Sequence, residues 1–168
     1  MIVATPSVDA TGLRIALVVS RFNHLISIRL IDGARETLLE HGADPENLEL
    51  FWVAGAFEIP QAARLIAESG RFDAIVTLGS VIRGGTPHFD YVCRGVTDGV
   101  REIMRTSPVP VGFGVLTTDD IDQALARAGG SDGNKGGEVA LAAVEMARLL
   151  GGLGVSSRKG VNSEMAVS

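Results

Sequence analysis

Apolar positions along the chain switch between two periods. Residues 13–19 form a continuous apolar run of strand length, and residues 25–41 follow with apolar side chains at 26, 30, 31, 34 and 38, the stripe of an amphipathic helix. Residues 48–54 repeat the strand pattern. A helix starting near Pro60, a residue suited to a first helical turn, runs to Glu68. Residues 73–78 predict a third strand. Residues 88–105 predict a helix that gathers Phe89, Val92, Cys93, Val96, Val100, Ile103 and Met104 on one face. A fourth strand at 111–116 precedes two helices with no strand between them, 120–128 and 137–150, the second striped at 139, 142, 143, 146, 149 and 150. Asp120 and Gln123 form a capping pair for the first of these. This order of strands and helices predicts an α/β fold with a four-stranded parallel sheet and helices on both faces. Residues 1–10 have no internal partner in the scheme and either lie along a neighbouring subunit or stay loose. Residues 151–168, rich in Gly, Ser and Val without period, are expected to fray.

A chain of 168 residues suits one domain and needs no staple to bury its core. Fifteen basic against 20 acidic side chains give a formal charge of −5 and a pI near 5.2, which argues against nucleic acid or an anionic membrane as partner. The one cysteine, Cys93, excludes an internal disulfide framework and a cysteine-based zinc site and fits a reducing compartment. Three scattered histidines without acidic pairing give no metal site. No apolar run approaches the roughly 18 residues of a membrane span. Residues 1–10 lack the basic-then-apolar order of a signal peptide, so a cytoplasmic location is expected. Hydrophobic residues reach 46% and mean hydropathy +0.27 with only eight aromatics. The surplus lies in Ala, Val, Leu and Ile, which suits a fully buried sheet or extra burial between subunits. Among the cations, lysine is scarce: Lys135 and Lys159 stand against 13 arginines.

In open parallel sheets ligands bind beyond the carboxyl ends of the strands. That rule selects residues 20–23, 55–58, 79–88 and 117–119. The first of these loops has no glycine, so a dinucleotide fingerprint is absent from its usual place. Residues 129–136 superficially resemble a nucleotide-triphosphate loop, yet Asn134 replaces the second glycine and Gly136 stands where Ser or Thr would hold magnesium, which excludes that reading. Gly84-Gly85-Thr86 follows a strand and opens a helix, so backbone N–H groups, a hydroxyl and the positive helix end converge on a small anion. A tight turn needing positive φ explains the same glycines equally well. His88 lies in the first turn of that helix; isolated it would read as a surface or capping histidine, but beside an anion-binding turn at a strand's carboxyl end the proton-transfer reading moves ahead. His24 and His41 lack such company and read as helix-flanking surface residues. Phe22 and Phe57 sit on strand-end loops, suited to stacking on a planar ligand or to packing beneath their loops. Glu58 suits ligand hydroxyls or the start of the next helix. Phe113, between Gly112 and Gly114, marks close approach of a ligand or another backbone, or simply core. Arg127 and Lys135 bracket the last loop, and periodicity does not place them. Cys93, on an apolar helix face, reads as core.

Six blocks in order closely resemble 6,7-dimethyl-8-ribityllumazine synthases from about residue 12 to 151. They are Arg21-Phe22-Asn23, Gly55-Ala56-Phe57-Glu58-Ile59-Pro60, Gly79-Ser80-Val81-Ile82-Arg83-Gly84, Thr86-Pro87-His88-Phe89-Asp90-Tyr91-Val92, Gly114-Val115-Leu116-Thr117-Thr118-Asp119 and Gly133-Asn134-Lys135-Gly136. The resemblance implies a flavodoxin-like three-layer sandwich at 12–151, between an N-terminal arm at 1–11, which would add a strand to a neighbouring subunit, and a flexible tail at 152–168. It also implies condensation of 5-amino-6-(D-ribitylamino)uracil with 3,4-dihydroxy-2-butanone 4-phosphate, releasing phosphate and water, without metal or organic cofactor.

Carried onto this chain, the resemblance makes Phe22 the shelf for the pyrimidine ring. Asn23, Ala56, Phe57, Glu58, Ser80, Val81 and Ile82 would line the pyrimidine and ribityl site, with Glu58 receiving hydroxyls. Gly85 and Thr86 would hold the phosphate with Arg127, and His88 would move the proton. Phe113, Arg127 and Lys135 match positions that reach the site from an adjacent subunit. The family assembles as pentamers that stay free, pair as decamers or close into hollow icosahedral shells of sixty subunits, able to enclose riboflavin synthase. The short 129–136 loop matches the shell-forming members, while Gly130 to Asp132 and Gly137 depart from the side chains expected around it. Two competing readings are a lumazine or flavin carrier of the same fold, which has little need of a phosphate clamp, and an electron carrier binding flavin mononucleotide. The latter needs a hydroxyl- and glycine-rich loop after the first strand, where this chain has Arg21-Phe22-Asn23.

Overall fold

The computed structural model describes residues 1, 3–5 and 7–158. Four strands, β1 (Ile15–Ser20), β2 (Leu48–Val53), β3 (Ala74–Ile82) and β4 (Val111–Thr118), pair in parallel in the order β2-β1-β3-β4. Helices α1 (His24–Glu40), α2 (Ile59–Glu68), α3 (His88–Thr106), α4 (Ile121–Arg127) and α5 (Lys135–Gly152) cover the two faces, as the alternating periods predict. Side chains alternate across a strand, and this divides the core in two. Ile15, Leu17 and Val19 of β1 join Ile26, Leu30 and Ala34 of α1 and Ala140 and Val144 of α5. Ala16 and Val18 of the same strand face Ile59 and Ala63 of α2 and Val96 and Val100 of α3. A strand buried on both faces must be apolar throughout, which is why β1 reads as a continuous run. Among the described residues no helix is long and apolar enough to cross a membrane.

Several boundaries differ from the expectation. Residues 79–82 are strand, not loop, because they continue the ladder to β4, from Gly79 opposite Val115 to Ile82 opposite Thr118. Glycine is used there for close packing: a Cβ on Gly79 would lie 2.5 Å from Ser20 Oγ. Ala128 leaves α4, and a small antiparallel hairpin, β5 (Ala128–Gly130) with β6 (Gly133–Asn134), occupies the space expected to hold no strand. α5 begins at Lys135 because Asn134 caps it, Oδ1 accepting the Gly136 N–H at 2.8 Å. The Asp120 cap forms, with Oδ1 accepting the Gln123 N–H at 2.8 Å, but Gln123 Oε1 accepts from Asp119 N–H at 3.0 Å and not from Asp120.

The ends also depart from the scheme. Ala10 is fully buried and donates its N–H to His41 O at 2.8 Å, while the Arg148 guanidinium donates to Asp9 O and Thr11 O at 2.7 and 2.6 Å. Residues 9–11 therefore do have internal partners. Beyond α5, Arg158 Nε reaches the nearly buried Asp73 at 2.8 Å, so the segment to 158 packs back on the amino end of the sheet. The remainder of the tail expected to fray, with Lys159, lies outside the described residues.

Helices α1 and α5 approach so closely at the start of α5 that Gly136 and Gly137 leave no room for a Cβ. A Cβ on Gly136 would stand 2.0 Å from Leu30 O, and one on Gly137 2.5 Å from Thr37 Oγ1. Gly33, in the middle of α1, forgoes about 0.5–1 kcal/mol of helix stability relative to alanine. Its absent Cβ makes room for Asn134.

Candidate active site

Beyond the carboxyl ends of β1 and β3 lies a cleft of about 600 Å³. Its lining brings together Phe22, Ala56, Phe57, Glu58, Ser80, Val81, Ile82, Thr86 and His88 from three of the predicted segments. Phe22 is 71% and Phe57 60% exposed, and both line the cleft. Phe57 rests on α3, where a Cβ at Gly95 would lie 2.4 Å from its ring. Asn23 caps α1 in the left-handed region at φ 59°, a conformation asparagine tolerates. Its side-chain amide donates to Ser80 O at 2.8 Å, so it ties the first loop to β3. Glu58 Oε2 accepts the Gly55 N–H at 2.9 Å and thereby fixes the turn that carries Phe57. Among the described residues Ser80 Oγ is buried without a hydrogen-bond partner, although a hydroxyl in that position ordinarily finds one.

The glycine turn is resolved in one respect. Neither Gly84 nor Gly85 adopts positive φ, and a Cβ on either would meet nothing within 4 Å. The tight-turn explanation therefore fails, and what remains is open backbone leading to the amino end of α3, where His88 is the first residue and is exposed. Arg83 braces this turn. Its N–H donates to Thr118 O at 2.9 Å, its Nε to Asp119 Oδ1 at 3.0 Å, and its guanidinium lies 4.2 Å from the Phe89 ring centroid and 3.4 Å from Asp90. The bond to Asp119, with Asp90 assisting against slight desolvation, holds Arg83 still more firmly protonated than a free guanidinium. Sequence reasoning passed over Arg83, and over Tyr91 as a cleft residue. The available signal was that Arg83 and Asp119 stand at the ends of adjacent strands.

Phe113, Arg127 and Lys135 are not in this cleft. They border a second depression of about 260 Å³ along β4, together with Thr117 and Val139. Arg127 Nη1 donates to Gln123 O at 3.0 Å and lies 3.3 Å from Asp132, and Lys135 Nζ is paired with Glu138. β4 is an edge strand of the sheet, so the depression lies at the sheet's edge. The glycines flanking Phe113 serve the neighbouring helix: a Cβ at Gly112 would lie 2.6 Å from Val139 O of α5. Phe113 itself projects to the surface, not into the core, with 36% exposure.

The remaining candidates fall elsewhere. The His24 ring stands 5.4 Å from that of Trp52, and His41 Nδ1 lies 2.8 Å from Thr37 O. Cys93 is half-buried against the α2 and α3 side of the core, and burial pushes its thiol up, with Asp90 adding to the effect. Among the described residues no group of three or more His, Cys, Asp or Glu is arranged to hold a metal ion. The first cleft thus offers two exposed aromatic rings, a carboxylate, a buried hydroxyl, a glycine turn at the amino end of a helix and an imidazole. The second offers two cations and an aromatic ring. A family model described as 6,7-dimethyl-8-ribityllumazine synthase matches residues 12–151, a span that holds every residue of both clefts named above.

Proposed function

The chain belongs to the 6,7-dimethyl-8-ribityllumazine synthase family and is a transferase of riboflavin biosynthesis that condenses 5-amino-6-(D-ribitylamino)uracil with 3,4-dihydroxy-2-butanone 4-phosphate, and from this premise we propose how its residues divide the work. Phe22 stacks on the pyrimidine, with Asn23, Ala56, Phe57, Ser80, Val81 and Ile82 around the ring and ribityl chain and Glu58 receiving ribityl hydroxyls. Gly85 and Thr86 hold the phosphate against Arg127, while Phe113, Arg127 and Lys135 come from the adjacent subunit of a ring. The observation that supports this reading is the separation of the candidate groups: Gly84, Thr86 and His88 line one cleft, and the cations Arg127 and Lys135 line another on the same chain.

Imine formation between an amine and a ketone, phosphate elimination and ring closure require oriented reactants and proton relays more than a strong nucleophile. His88 moves the protons. The rest of the acceleration is positioning. His88→Ala is expected to lower kcat by about tenfold, below the 100-fold or more that an indispensable general acid–base supplies, and to leave KM for the phosphorylated ketone unchanged. Equal and total loss in His88→Ala and Arg127→Ala, with folding and assembly intact, would overturn this division.

Pentameric rings complete the site, and the short 129–136 loop favours their closure into an icosahedral shell in the cytoplasm, with room for riboflavin synthase. The open edge of β2 supplies unpaired backbone groups for a strand from a neighbouring subunit. The direct test is to mix both substrates with the purified protein and follow lumazine fluorescence alongside phosphate release. One phosphate per lumazine is expected. No lumazine from assembled protein would sink the enzyme reading, and a visible flavin spectrum in its place would point to a carrier.

A further inference from the structure

We propose that Asn134 is a positioning residue for the phosphate-binding cations, acting through a seat that Gly33 leaves in α1. The inference rests on the reading that Arg127 and Lys135 meet the phosphate. Asn134 makes three connections at once. Its Nδ2 donates to Arg29 O of α1 at 2.8 Å, and its Oδ1 accepts the Gly136 N–H at 2.8 Å, capping α5. Its backbone pairs with Ala128 in the hairpin. Arg127 immediately precedes Ala128 and Lys135 immediately follows Asn134, so both cations flank this one rung. Cα atoms of an antiparallel pair stand about 4.5–5.5 Å apart, so the rung sets the spacing of the two cations at the backbone. The bond to Arg29 O then fixes the orientation of the rung against the body of the subunit.

The seat is specific. A Cβ on Gly33 would meet Asn134 Cγ at 2.1 Å and Nδ2 and Oδ1 at 2.3 Å, so no residue but glycine admits the amide in this position. A helix interior gives up stability to keep that glycine, which the tie to α1 explains. Neither end of either cation depends on Asn134: Lys135 Nζ is paired with Glu138, and Arg127 with Gln123 O and Asp132. Asn134 therefore acts on the backbone beneath them, and small displacements there are costly for oriented reactants.

Six variants test the idea by steady-state kinetics with the phosphorylated ketone varied and the pyrimidine saturating. Asn134→Asp keeps the acceptor that caps α5 and loses the donor to Arg29 O. It is expected to raise KM for the ketone about tenfold, with kcat within about threefold, KM for the pyrimidine unchanged and the melting temperature close to the parent's. Gly33→Ala, with Asn134 intact, is expected to raise the same KM by a similar factor. Asn134→Ala frees the seat, so the Gly33→Ala/Asn134→Ala double variant should be no worse than Asn134→Ala alone. Lys135→Ala serves as the reference. If it raises KM for the ketone while Asn134→Asp and Gly33→Ala do not, Asn134 has no positioning role and the proposal fails alone. If Lys135→Ala and Arg127→Ala both leave that KM unchanged, the phosphate reading fails and carries this proposal with it.

Discussion

Arg127→Ala is expected to raise KM for the phosphorylated ketone by roughly 30- to 150-fold, the equivalent of about 2–3 kcal/mol for a lost charge-assisted bond to phosphate. The fold itself should barely register the change. Arg127 is half-exposed and its ion pair with Asp132 is open to solvent, so its removal costs at most about 1 kcal/mol of stability. A sharper form of the experiment uses complementation. Subunits carrying Arg127→Ala retain the first cleft, whereas subunits carrying Phe22→Ala with Glu58→Ala retain the arginine. In head-to-tail rings assembled at random from equal amounts, about a quarter of the interfaces pair an intact cleft with an intact arginine. Activity should reappear on mixing and reassembly to about that fraction of the parent value. Mixed rings no more active than the two variants apart would mean that Arg127 serves its own chain's cleft or none.

The second large effect is on stability. Gly136→Ala places a Cβ 2.0 Å from Leu30 O, and the obstacle is helix backbone, not a movable side chain. Overpacking ordinarily costs 1–3 kcal/mol, and a collision of two helix backbones belongs at about 3 kcal/mol or beyond. Gly151→Ala is the control within the same helix. A Cβ there meets nothing within 4 Å, so the gain in helix propensity should leave the protein unchanged or more stable by up to about 1 kcal/mol. Denaturant midpoints read both. A Gly136→Ala variant as stable as the Gly151→Ala variant would show that α1 and α5 do not hold the separation described.

The central strands were legible because burial on both faces keeps β1 apolar from Ile15 to Val19 and β3 largely so, and the helices because each has one buried stripe. The carboxyl-end rule then found the first cleft from loop positions alone. What escaped had physical reasons. Gly79 and Ser80 look like loop chemistry, but the glycine is there to admit Ser20 Oγ, and that contact joins residues far apart in the chain. The β5–β6 hairpin pairs too few residues to show a period of two. Ala10 is one buried methyl among Asp, Thr and Gly, and the arginine that secures its neighbours comes from position 148. Arg127 and Lys135 were visible as residues but not as a pair, since the rung that sets them side by side is formed by the residues between them.

The two depressions on one chain also bear on how rate depends on dilution. On the proposed reading the two depressions are halves of one site that a single subunit cannot bring together, so turnover would become a property of association. Specific activity should then hold constant down to the subunit concentration at which rings dissociate and fall below it by mass action. Phosphate and the substrate that carries it, bound across the joint, would shift that threshold to lower concentration, so a dilute preparation should regain activity as substrate is raised, with a lag set by reassembly.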